Sequence, residues 1–137
     1  MIFSKSGEYA LKSIIYINKN FDKNPIGVDI LSNDLELPKH YVSKLLQGVV
    51  KRGFLKSIKG IGGGYLPGDN DLTIRDLMSS IEGCDRSDKC VMGISDCNDV
   101  NPCPLHQYYK PIKKEINEEV LNKKISELLT IEKFNLK

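Results

Sequence analysis

Four of the five residues from Gly60 to Gly64 are glycine. With so little side chain, helix or strand is costly in backbone entropy, and the segment has to be a tight turn. Its flanks then read as a hairpin. Phe54-Leu55-Lys56-Ser57-Ile58-Lys59 forms one strand, and Tyr65-Leu66 opens the return.

Helical spacing dominates before that hairpin. A first helix starts near Ser4, carries Leu11, Ile14 and Ile15 on one side, and stops before Asn24-Pro25. A short second helix spans about Val28 to Asn33, with Ile30 and Leu31 as its apolar face. Leu35-Glu36-Leu37 is a tight connection, and Pro38 suits the first turn of a third helix running to about Arg52. Val42, Leu45, Leu46 and Val49 make its buried stripe, and Gly53 follows where a left-handed cap is favoured. Two short helices packed on a third and then a hairpin is the order of a winged helix-turn-helix. The expected fold class is mainly α with a small β wing.

After the hairpin, Thr73 caps a short helix from Ile74 to Ile81, with Leu77 and Ile81 facing inward. From Gly83 to Pro104 the periodicity breaks into a loop of a length that compact domains keep for function or for a ligand. A long helix then begins near Leu105. Ile112, Ile116 and Val120 stripe an otherwise charged surface, and a second copy of the chain is the expected cover. Ser126 is placed to cap a last turn through Leu128 and Leu129. The expected division is a winged helix-turn-helix domain over 1–82, a cysteine-rich cluster-binding loop over 83–104, and a dimerisation helix with tail over 105–137.

Charge is distributed unevenly. Residues 1–67 hold ten Lys/Arg against five Asp/Glu, and residues 68–137 hold ten against thirteen. Between Lys39 and Lys59 six basic residues meet no acidic one, the footprint that phosphate binding requires. On the third helix Lys39, Lys44 and Lys51 suit phosphates, while His40, Tyr41, Ser43 and Gln47 suit bases or phosphate oxygens. Lys59 places a cation beside the glycine turn, whose slim tip at Gly62 can approach a minor groove. These residues point to double-stranded DNA. The glycines do not make a nucleotide site: the dinucleotide pattern fails and no Gly-Lys-Ser/Thr follows. Nor is there a Ser/His/Asp or paired-carboxylate arrangement, so an enzyme is not expected.

Cys84, Cys90, Cys97 and Cys103 fall within twenty residues, with His106 shortly after. No apolar run approaches the roughly 20 residues that span a bilayer, and Met1-Ile2-Phe3-Ser4-Lys5 lacks the features of a signal peptide. The expected location is the cytoplasm, with no membrane partner, where thiols stay reduced. Gaps of six and five residues between the last three cysteines are not zinc knuckles, and they suit a loop wrapping an iron–sulfur cluster. Zinc and unliganded thiols remain the alternatives.

Ser4-Lys5-Ser6-Gly7-Glu8-Tyr9-Ala10, Leu37-Pro38-Lys39-His40-Tyr41-Val42-Ser43-Lys44-Leu45-Leu46 and Lys59-Gly60-Ile61-Gly62-Gly63-Gly64-Tyr65 together resemble the Rrf-two family of bacterial winged-helix regulators. The resemblance covers nearly the whole chain. It implies that Cys90, Cys97 and Cys103 hold a cluster. For the fourth ligand it offers two candidates: His106, which accompanies a 2Fe-2S centre in the family, or Glu8 of the partner subunit, which accompanies a 4Fe-4S centre. The sequence departs from the family in three places. The first cysteine gap is one residue longer, Cys84 has no counterpart, and Lys59 stands where arginine is more usual, losing the planar fork.

The resulting expectation is a homodimeric, sequence-specific DNA-binding regulator, acting as a repressor, whose affinity responds to an iron–sulfur cluster and so to iron, redox state or nitric oxide. Two other functions fit the same residues: a cluster-free regulator answering to thiol oxidation or a partner enzyme, and a metal- or cluster-handling adaptor without DNA binding.

Overall fold

The computed structural model describes residues 3–83 and 89–137. Cys84 lies outside the described residues. The first helix, α1 (Lys5–Asn20), is capped by the Ser4 hydroxyl, which accepts from the Gly7 N–H at 3.1 Å. Its buried side carries Ala10, Ile14, Ile15 and Ile17. Next come α2 (Val28–Leu35) and α3 (Lys39–Lys51), joined through Glu36 in the left-handed region at φ 55°. Pro38 stands just outside α3 as its cap, its carbonyl accepting from Val42 N–H at 3.0 Å.

The inward face of α2 differs from the sequence expectation. Leu31, Ser32 and Leu35 are buried, and Ile30 is 57% exposed. The helix runs to Leu35, so the pair that meets the core is Leu31 with Leu35, one turn apart, and Ile30 is rotated away. Helix α3 keeps its expected stripe, with Val42, Leu46 and Val49 buried and Leu45 half-buried. It ends in a Schellman arrangement. Gly53 N–H reaches Val50 O at 3.0 Å and Phe54 N–H reaches Val49 O at 3.2 Å, with Gly53 at φ 92°.

The wing is an antiparallel hairpin of β1 (Leu55–Ile58) and β2 (Gly64–Pro67), registered with Leu55 opposite Pro67 and Ile58 opposite Gly64. A short bridge extends it. Ile26 N–H donates to Tyr65 O at 2.9 Å and Tyr65 N–H to Ile26 O at 2.8 Å, tying the entry of α2 to the wing. Thr73 caps α4 (Ile74–Glu82) through a reciprocal pair with Asp76. Ile74, Leu77 and Met78 are its buried residues, with Ile81 half-buried.

The C-terminal helix is not uniform. α5 (His106–Glu115) buries no residue, and it continues into a π-helical turn, Ile116–Leu121. Within one copy of the chain the expected stripe is uncovered along most of its length, with Ile116 only half-buried. Within the π turn Leu121 is buried while Val120 is 37% exposed. Ile112 is exposed as well.

The chain then returns to the core through α6 (Ile125–Leu128), with Ile125 fully buried. Ser126 does not cap α6. Lys124 precedes the helix, its N–H held by the Glu127 carboxylate at 2.8 Å, and Ser126 N–H is taken by Asn70 O at 2.9 Å. Leu121 and Ile125 thus complete the core that α1, α3 and α4 begin.

Candidate metal centre and nucleic-acid interface

The loop before α5 turns back on itself through short hydrogen bonds. Gly93 N–H reaches Cys90 O at 2.9 Å, and His106 N–H reaches Cys103 O at 3.0 Å. The result brings Cys90, Cys97 and Cys103 together, their sulfurs all within 4.8 Å of one another. Cys90 Sγ lies 3.6 Å from Cys103 Sγ, and Cys103 N–H points at Cys97 Sγ at 3.4 Å. All three thiols are half-buried at one end of a cavity of about 680 Å³ that runs along α5 past Tyr109 and Lys110 to Asn117.

Their protonation differs. The Ile94 backbone N–H, aided by that of Met92, brings the Cys90 thiol down to about 7, so thiolate is abundant at neutral pH. For Cys97 the Cys103 N–H favours thiolate, but burial and the adjoining sulfurs of Cys103 and Cys90 outweigh it and push the thiol up.

His106, the first residue of α5, has its Nδ1 3.4 Å from Cys97 Sγ. On its other side Nε2 meets Asp99 Oδ1 at 2.9 Å, and both Asp99 oxygens meet Lys110 Nζ at 2.8 Å. The Lys110 ammonium and the His106 ring hold the Asp99 carboxyl below the usual carboxylate range. Glu8 is elsewhere: it lies in the first turn of α1 with its carboxylate 3.3 Å from Lys5 Nζ. Asp99 and Lys110 escaped the sequence reading. The one available signal was the four-residue spacing of His106 and Lys110, which puts both on one side of a helix.

Three soft thiol donors converging on one point, with an imidazole beside them, fit iron or an iron–sulfur group.

The residues singled out for nucleic acid fall into two sets. His40, Lys44, Gln47 and Lys51 are exposed on α3, and Lys59 and Gly62 are exposed on the wing. Gln47 and Lys59 line the same groove of about 500 Å³ between α3 and the wing. The second set is engaged within the fold. Lys39 pairs with Asp29. The Tyr41 hydroxyl meets Ser6 Oγ, and its ring packs edge-on to Tyr9 at 5.8 Å. Ser43 is half-buried beside the Tyr65 hydroxyl. At the wing tip Ile61 is fully exposed. Among the described residues no helix is long and apolar enough to cross a membrane.

Known proteins share this fold. The chain is 28% identical over 140 residues to an Aquifex aeolicus (strain VF5) protein assigned as an HTH-type transcriptional regulator, covering 99% of this chain and 96% of that one. It is 24% identical to the HTH-type transcriptional regulator IscR of Vibrio parahaemolyticus, covering 95% of this chain and 78% of IscR. In fold it is similar to CymR, the global cysteine regulator of B. subtilis. The TM-score is 0.75 at 23% identity, over 95% of this chain and 97% of CymR. These relatives are transcriptional regulators, not enzymes. The family model Rrf2, described as an iron-dependent transcriptional regulator, matches residues 3–131. Helix order, glycine wing and sequence therefore agree, and the chain belongs to the Rrf2 family of transcriptional regulators.

Proposed function

We propose that this regulator binds operator DNA as a homodimer and that its affinity is set by an iron–sulfur cluster held by Cys90, Cys97 and Cys103. The observation that carries this is the convergence of the three sulfurs within 4.8 Å, out of a loop that among its described residues has no helix or strand. Bound there, a cluster supplies a redox- and iron-sensitive link between the loop and α5. His106 is the fourth ligand in this account, supported by its Nδ1 beside Cys97. Glu8 of the partner subunit is the competing ligand.

For DNA, the groove shared by Gln47 and Lys59 supports α3 in a major groove with the wing at the adjoining minor groove. Lys44, Lys51 and His40 lie exposed along the same helix. Lys39, Tyr41 and Ser43 serve this face by holding α3 against α2, α1 and β2. For the dimer, α5 offers Leu105, Tyr108 and Ile112 exposed and buries none of its own residues, as a helix awaiting a second copy does.

Anaerobic purification with absorption spectra and iron and sulfide assays tests the cluster. Operator titrations on loaded and apo protein test the coupling. A difference of about tenfold, or about 1.4 kcal/mol, is expected. Equal affinities of the two forms would overturn it.

One geometric feature favours a second function, a cluster-free regulator answering to thiol oxidation. Cys90 and Cys103 are 3.6 Å apart, and the Cys90 thiol is brought down to about 7. A peroxide could take two electrons from this pair to leave a disulfide. Colourless protein that takes up no iron, with operator affinity altered by peroxide, would favour it.

A further inference from the structure

Asp99 lies in the gap between Cys97 and Cys103, and its carboxylate is claimed from two sides. Lys110 Nζ meets both oxygens at 2.8 Å, and His106 Nε2 meets Oδ1 at 2.9 Å. His106 and Lys110 are one helical turn apart on α5, so a single carboxylate spans two consecutive rungs of the helix. An ionised carboxylate can only accept hydrogen bonds. In the neutral ring the proton therefore sits on Nε2, and Nδ1 presents a lone pair. That lone pair faces Cys97 Sγ at 3.4 Å. A histidine whose remote N–H is held by a carboxylate is the arrangement that fixes a metal-ligating imidazole in one tautomer and one orientation.

We propose that Asp99, anchored by Lys110, is the positioning residue of this centre: it locks His106 with Nε2 protonated and Nδ1 turned toward the cysteines. This rests on the cluster function above only for its purpose, since the lock itself is a property of the metal-free chain. It also discriminates between the two fourth ligands. A ring already oriented toward Cys97 gives up little freedom on ligation, whereas an arriving carboxylate must displace it.

Two measurements test this, one of them without metal. Ring-nitrogen NMR on 15N-labelled apo-protein at about pH 8.5, where imidazoles are neutral, reads the tautomer directly. Wild-type His106 is expected to show a pyrrole-like Nε2 and a pyridine-like Nδ1. In Asp99→Ala both signals move toward exchange-averaged values, and His40, the only other histidine, does not change. Asp99→Asn keeps the size and serves if Asp99→Ala does not fold, because its amide can turn an N–H toward Nε2 and release the tautomer.

In the second measurement, iron retention against a chelator falls by about tenfold in Asp99→Ala. In a His106→Ala background Asp99→Ala produces no further loss, because Asp99 acts only through that ring. Unchanged His106 ring signals in Asp99→Ala, or additive losses in the double variant, would overturn the proposal. If the ring signals move as expected but wild-type protein takes up no iron, the cluster function fails and the locked ring survives.

Discussion

Arg75 on α4 donates from Nη2 to the side-chain carbonyl of Asn117 at 2.7 Å, at the point where the C-terminal helix widens into its π turn. The same nitrogen reaches Asn117 O at 3.4 Å, and Arg75 Nε reaches Asn122 Oδ1 at 3.3 Å. Asn117 also lines the cavity that holds the cysteines. One arginine therefore joins α4 to the segment that leaves the candidate metal centre.

Arg75→Ala is expected to lower stability by about 1.5 kcal/mol, the low end for hydrogen bonds to charged groups, at a half-exposed site. It should also shrink the affinity difference between iron-loaded and apo protein from about tenfold toward none. Urea melts and operator titrations of both forms check this. A full tenfold difference in the variant would exclude Arg75 from the coupling.

Charge and base contacts separate by salt. Lys44→Ala and Lys59→Ala should each lower the slope of log affinity against log salt by about 1. Gln47→Ala should leave the slope alone and cost about 1–3 kcal/mol on the operator but not on unrelated DNA. Titrations over a salt series separate the two behaviours.

At Gly63 a Cβ would lie 2.1 Å from the Ile58 carbonyl oxygen, inside the wing. Gly63→Ala must therefore open the hairpin, with an expected tenfold loss of operator affinity, about 1.4 kcal/mol. At Gly48 on α3 a Cβ meets nothing within 4 Å, so Gly48→Ala should stabilise the fold by about 0.5–1 kcal/mol through reduced backbone freedom. Melting curves beside gel shifts distinguish these glycines.

Cys90 should be alkylated before Cys97 in apo-protein. Its thiol is depressed to about 7, so the reactive thiolate population grows as pH rises through that value and is lost below it. Cys97, pushed up, should react late. Peptide mass spectrometry after brief iodoacetamide treatment between about pH 6 and 9 gives the order. Equal rates for both cysteines would contradict the local backbone effect.

Much of this molecule is legible in its residues because the signals are local. Ser4, Thr73 and Gly53 mark helix ends by side-chain capping or left-handed backbone, and Gly60 to Gly63 form the turn their composition demands. The α3 stripe follows from spacing alone. What escaped depends on contacts between distant segments. Ile30 matches the apolar pattern as well as Leu35 does, and only packing against the core chooses between them. The π turn is recorded in no periodicity; it coincides with the Arg75–Asn117 contact, 42 positions apart. Tyr41 looks like a free reading side chain until Ser6 and Tyr9 are placed beside it. Among the site residues, the cysteines are conspicuous by type, whereas Asp99 is one acidic residue among many until the loop folds it onto His106.

The paired hydrogen bonds between Ile26 and Tyr65 bear on how the reading head can let go of a duplex. They splice the start of the two-helix unit to the hairpin, so neither can lift off alone without breaking a ladder. With α3 and the wing in adjoining grooves, as proposed above, their contacts would be made and surrendered together. Release should be a single kinetic step, with no long-lived state in which the helix stays seated while the hairpin has swung free.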